Sequence, residues 1–97
     1  MPNSVRRSTK SGKAIREARL DCGLSQTDLS EFMGWGSPQF ISNIERGLAL
    51  LPVTAIDKLS KIINKDPESI LRMVCSDKIN MMKEDYLKGK KAKRKPR

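Results

Sequence analysis

Apolar residues recur at helical spacing in five short runs of this chain, and every run is bounded by glycine or proline. Ile15, Ala18 and Cys22 stop at Gly23; Leu29, Phe32 and Met33 stop at Gly34; Ile41 and Ile44 stop at Gly47. Ile56, Leu59, Ile62 and Ile63 follow Pro52, and Ile70, Leu71 and Val74 follow Asp66 and Pro67. This pattern predicts short amphipathic helices, with no strand-like alternation and no internal repeat, so the fold class is all-α. Gly23 suits the left-handed residue that closes a helix. Ser25 with Asp28 three residues later resembles a capping box with a shortened acid, and Asp66 and Pro67 cap the fifth helix. Ser37 serves as the cap of the third helix, with Pro38 in a first turn where its missing amide does no harm.

Ninety-seven residues allow one small domain with tails. No apolar run approaches the roughly 20 residues that span a bilayer, and "MPNSVRRSTKSGK" lacks the apolar stretch of a secretory signal. A cytoplasmic protein without membrane association is expected. The only cysteines, Cys22 and Cys75, have no histidine anywhere with which to share a metal. Both read as reduced, half-buried packing residues, and neither metal nor cofactor is expected.

The formal charge of +9 is unevenly placed. Residues 1–20 carry Arg6, Arg7, Lys10, Lys13, Arg16 and Arg19 against Glu17, while residues 88–97, "KGKKAKRKPR", carry seven basic side chains and no acid. Ten acids outnumber seven bases between them. A chain with a near-neutral middle and basic ends suits a polyanionic partner. The expected organisation is a flexible basic arm at 1–11, a compact domain at 12–74, a helical extension at 75–87 and a disordered basic tail at 88–97.

Within the domain, helices two and three are separated by a short turn, and the third exposes polar residues; a helix so presented fits the major groove. The segments "IREARLDCGLSQTDLSEFMG" and "FISNIERG" resemble the phage-repressor and Cro-like, or Xre-type, helix-turn-helix family. The likeness spans about Gly12 to Leu71. It implies a five-helix lambda-repressor-like domain and a sequence-specific double-stranded DNA-binding regulator of transcription, a repressor or autoregulator of bacterial or phage origin acting as a homodimer. The turn "WGSPQF" is one residue longer than the family's commonest form.

The resemblance assigns base reading to the third helix. Gln39 is suited to adenine, Asn43 lies one turn later on the same face, and Ser37, Pro38 and Ser42 support them. Gln26 is implied to bond phosphate and buttress the reading helix, Arg46 to reach the backbone, and Lys13 and Arg16 to add phosphate contacts. The same side chains would also make an ordinary solvated face. Arg19 and Glu45 are implied to form an internal ion pair, and Trp35 reads as a packing lid over helices two and three. Ile79, Met81, Met82 and Tyr86 in the extension offer a dimer contact, a surface for a protein partner, or a stripe that folds back on the core.

Other function classes are weaker. An antitoxin whose extension wraps a toxin while its domain binds an operator fits the same layout. RNA binding has only the lysine tail in its favour, since four scattered aromatic residues make no stacking platform. Catalysis lacks histidine, a phosphate-cradling loop and a carboxylate pair, so no enzyme is expected.

Overall fold

The computed structural model describes residues 9–92. Five α-helices follow one another: α1 (Lys10–Asp21), α2 (Gln26–Met33), α3 (Gln39–Glu45), α4 (Ile56–Ile62) and α5 (Pro67–Ala92), with a 3-10 turn at Val53–Ala55 ahead of α4. Ile15, Leu29, Ile41, Ile44, Leu51, Leu59, Ile63 and Ile70 are fully buried and draw every helix into one core. Each contributes about 1.5–3 kcal/mol by leaving water. α1 packs on α3 and α5, α2 on α3 and α4, and α4 on α5.

The glycine stops work by one device. Gly23, Gly34 and Gly47 take left-handed φ of 73°, 79° and 78°. The next amide then reaches back five residues: Leu24 to Arg19, Trp35 to Ser30 and Leu48 to Asn43, at 3.1, 2.8 and 2.8 Å. The carbonyls that the helix end leaves open are thereby satisfied. Asn64 closes α4 in the same way, with φ 59° and Lys65 donating to Ser60 at 2.8 Å.

Several expectations need correction. α1 starts at Lys10, earlier than the sequence boundary at 11/12, because Thr9 caps it and a distant carboxylate holds its first turn. Asp77 of α5, 3% exposed, accepts from the amides of Lys10 (2.9 Å) and Ser11 (2.8 Å) and from the Ser11 hydroxyl (2.6 Å). The helical extension at 75–87 is the continuation of α5, which runs unbroken through Val74 and carries a residue that α1 requires. It also runs past Leu87 to Ala92, through the start of the supposed disordered tail, since lysine and alanine are good helix formers and Gly89 alone does not break the helix. Residues 1–8 and 93–97 lie outside the described residues.

Side-chain directions differ too. Phe32 and Leu71 are exposed, because Leu29 with Met33 and Ile70 with Val74 take the inward line of their helices. Cys22 is exposed at the C-cap of α1, and Cys75 is exposed on the outer side of α5. Ser37 only brackets the start of α3: its hydroxyl accepts from the Gln39 amide at 3.3 Å while Pro38 occupies the cap position.

Gly12 fixes the approach of α1 to α3. A Cβ there would overlap the carbonyl oxygen of Ile44 and lie 2.6 Å from the Thr9 hydroxyl. Gly12→Ala is expected to lower stability by about 1–3 kcal/mol or more, since backbone cannot yield as a side chain does. Urea unfolding checks this; an unchanged midpoint would show that α1 moves off α3 without loss.

Candidate nucleic-acid interface

α3 has seven residues, too few to be stable alone, so its position is imposed by neighbours. Ile41 and Ile44 anchor it in the core. The longer turn before it is filled by Trp35, which packs edge-on against Phe40 with ring centroids 4.8 Å apart at 63°, both rings resting against the core. Trp35 is thus half-buried packing material at the α2–α3 corner.

The other end of α3 is held by charge. Arg19 Nε donates to Glu45 Oε2 at 2.7 Å and Nη2 donates to Oε1 at 3.0 Å, the paired side chains being 7% and 2% exposed. Arg19 Nη1 also donates to the Leu24 carbonyl at 2.8 Å, fixing the loop between α1 and α2. Gln26, the first residue of α2, donates its Nε2 to Glu45 Oε1 at 3.0 Å. Its side chain is thus tied to α3, while a second N–H of the same amide stays available to an anion. The capping box beneath it is complete: Ser25 Oγ accepts from the Asp28 amide and Asp28 Oδ2 accepts from the Ser25 amide, both at 2.9 Å. The Ser25 amide, then its hydroxyl, hold the Asp28 carboxyl below the ordinary aspartate range.

The outward side of α3 carries Gln39, exposed, with Ser42 and Asn43 half-buried and Arg46 exposed just after the helix. Gln39 Nε2 donates to Asn43 Oδ1 at 2.9 Å, one turn along. The bond orients both amides and leaves Gln39 with an acceptor oxygen and one N–H, the pair that adenine N6 and N7 require. Ser37 is exposed and Pro38 half-buried at the start of the helix. On α1, Gly12, Arg16 and Arg19 recur at helical spacing, so the exposed Arg16 lies on the α3-facing side between two contacts; Lys13, also exposed, follows Gly12 directly.

The sequence reading missed Gly12 and Asp77. Asp77 had a signal: it interrupts the apolar series Ile70, Val74 and Met81 at helical spacing, where an acid needs buried partners. Gly12 had none, because its neighbour is 32 residues away in the chain. Replacing Arg19 by Met strands the Glu45 carboxylate and is expected to cost about 3–5 kcal/mol, whereas Arg19→Met with Glu45→Met regains most of that loss. Chemical denaturation of the three proteins decides it; a single variant as stable as wild type would remove the pair from the fold's requirements.

Residues 15–70 match the helix-turn-helix family model. No curated protein matches the chain by sequence. Among solved structures, the restriction-modification controller protein C.AhdI from Aeromonas hydrophila is 29% identical, over 64% of this chain and 88% of that one, with a TM-score of 0.57. A mutant of the restriction-modification controller protein C.Esp1396I is 25% identical over 71% and 91%, with a TM-score of 0.55. The clp gene regulator ClgR from Corynebacterium glutamicum, 23% identical over 80% and 83%, shares the fold with a TM-score of 0.58. With the family's region covering α2, the turn and α3 together with their supports, this chain belongs to the helix-turn-helix family of DNA-binding transcriptional regulators.

Proposed function

We propose that this regulator reads a double-stranded operator by inserting α3 into the major groove, with Gln39 and Asn43 as the base-reading pair and Ser37, Pro38 and Ser42 beside them. The observation that carries the reading is the Gln39–Asn43 hydrogen bond on the exposed side of a helix clamped at both ends. Gln26, Arg46, Lys13 and Arg16 hold the phosphates and set the register. The division follows the physics of DNA binding, in which cations supply affinity and placed neutral groups supply discrimination. It works in the cytoplasm, on the nucleoid.

Gln39→Ala is expected to lower preference for the cognate site by about 1–3 kcal/mol while nonspecific binding stays nearly constant. Titration of selected and random duplexes at one salt concentration checks this; equal losses on both would remove Gln39 from base reading.

The protein binds as a homodimer through α5. Ile79, Met82 and Tyr86 are 53%, 59% and 66% exposed, and with Leu71 and Cys75 they line the side of α5 opposite its core contacts. One reading helix covers only a short half-site, and two held about one DNA turn apart give useful affinity. Ile79→Asp with Met82→Asp is expected to give a helical monomer in sedimentation that binds a half-site and loses most affinity for the palindrome. A wild type monomeric both free and on DNA would refute the dimer.

A further inference from the structure

Beyond its core contacts, the outer stripe of α5 has an internal order. Cys75, Ile79, Met82 and Tyr86 are spaced by four, three and four residues, so the series has the same spacing from either end. Ile79, Met82 and Tyr86 are more than half exposed, and Cys75 is exposed with them. Alternating steps of four and three residues make the seam of two paired helices. Lys78 and Asp85, both exposed, stand seven residues apart along one edge of that seam, and exposed Lys88 and Lys90 follow near its far end.

We infer that α5 pairs in antiparallel sense with α5 of a second copy, about a two-fold axis that crosses the helix between Asn80 and Met81. This rests on the dimer proposed above and fixes its direction and register. Side-chain size carries the argument first. About that axis Cys75 faces the partner's Tyr86, and Ile79 faces the partner's Met82, so a small side chain meets a large one and two of similar size meet between them. A parallel pair would stack the two tyrosines in one layer and the two cysteines in another, overfilling the first and leaving the second loose. Charge agrees. In antiparallel helices like edges meet, so Lys78 comes within about 3 Å of the level of the partner's Asp85, and symmetry makes the contact twice. Lys90 arrives level with the partner's Leu71, where each copy holds Glu68 and Arg72 paired at 3.7 Å and so presents no net charge. Parallel helices would instead set Lys78 beside the partner's Lys83 and gather Lys88 and Lys90 of both copies at one end. Opposed helix dipoles act in the same direction. The length fits a duplex as well: Ile70, buried where α5 joins the core, lies about 16 Å from the axis, which puts the two cores about 32 Å apart along the pair. Half-sites one turn of DNA apart are separated by about 34 Å.

Disulfide trapping in the full chain, with Cys22→Ser throughout and glutathione disulfide as oxidant, tests the register. Cys22→Ser with Tyr86→Cys is expected to run as a covalent dimer on a non-reducing gel, because Cys75 then faces a thiol across the seam. Cys22→Ser alone is expected to run as a monomer, since the antiparallel register holds the two Cys75 residues about 16 Å apart, beyond the reach of a disulfide. Cross-linking of Cys22→Ser alone would overturn the proposal in favour of a parallel seam. The edge charges give a second test that leaves the apolar stripe intact. Lys78→Glu is expected to raise the dimer dissociation constant in sedimentation by about fivefold or more, the range of two exposed ion pairs, and Lys78→Glu with Asp85→Lys is expected to restore it. A tighter Lys78→Glu dimer, which a parallel seam requires, overturns the antiparallel one. A wild type that is dimeric yet shows neither the trapped pair nor the charge effect overturns this register alone, whereas a wild type monomeric both free and on DNA removes the α5 dimer itself.

Discussion

The carboxylate of Glu45 is the point at which the helix-turn-helix of this molecule is assembled. Its two oxygens take three donors from two other helices, Arg19 Nε and Nη2 from α1 and Gln26 Nε2 from α2. A buried ion pair is a poor source of net stability, because desolvation of both charges offsets most of their attraction. What it supplies is direction: the planar guanidinium meets the carboxylate through two bonds and tolerates little rotation. α3 is too short to orient itself, and a hydrophobic contact alone would let it roll. With Ile41 and Ile44 setting its depth and Glu45 its rotation, the amides of Gln39 and Asn43 face outward in a fixed relation to α1 and α2.

A second carboxylate does comparable work at the far end of α1. Asp77 places a negative charge and its acceptors on the first turn, where open amides and the positive end of the helix dipole favour both. Gly12, two residues into that turn, then rests on the Ile44 and Glu45 carbonyls. α1 is thus pinned by α5 at its start, by α3 beside it and by the Glu45 node near its end. Lys13 and Arg16 fall between these pins, so two exposed cations on flexible stems are carried by a rigid rod.

The legible part of this fold is the part governed by neighbours in sequence. Gly23, Gly34 and Gly47 announced helix ends because no other residue takes the left-handed cap so readily, and Ser25 with Asp28 announced a start because both hydrogen bonds of the box are local. Inward residues were legible only to within one position. Phe32 and Leu71 each sit one step around the helix from a truly buried residue, and periodicity over two turns cannot separate such neighbours until the opposing helix is known. Arg19 and Glu45, 26 residues apart, were paired through family resemblance, since nothing in their own spacing joins them. Asp77 and Gly12 depend on partners so remote that only the folded chain reveals them.

The placement of charge answers to the same geometry. A duplex presents phosphate on both sides of its major groove, so on the proposed reading cations on α3 itself would favour every sequence alike and dilute the contribution of Gln39. The chain keeps cations out of α3, sets Lys13, Arg16 and Arg46 around it, and concentrates the remaining excess at its two ends. Those ends are not equivalent. The C-terminal cations begin on a helix that already projects from the core, at a distance fixed by α5, with Lys90 lying 6.0 Å from the Tyr86 ring centroid. The N-terminal ones join the fold at Thr9, against Asp77, where α5 and α1 meet. Any displacement of α5 that disturbs Asp77 therefore acts on the first turn of α1 and, through Gly12, on the seat of α3. The start of α1 and the seat of α3 are thus coupled along one helix, held by Asp77 at its first turn, by Gly12 beside α3 and by Glu45 near its end.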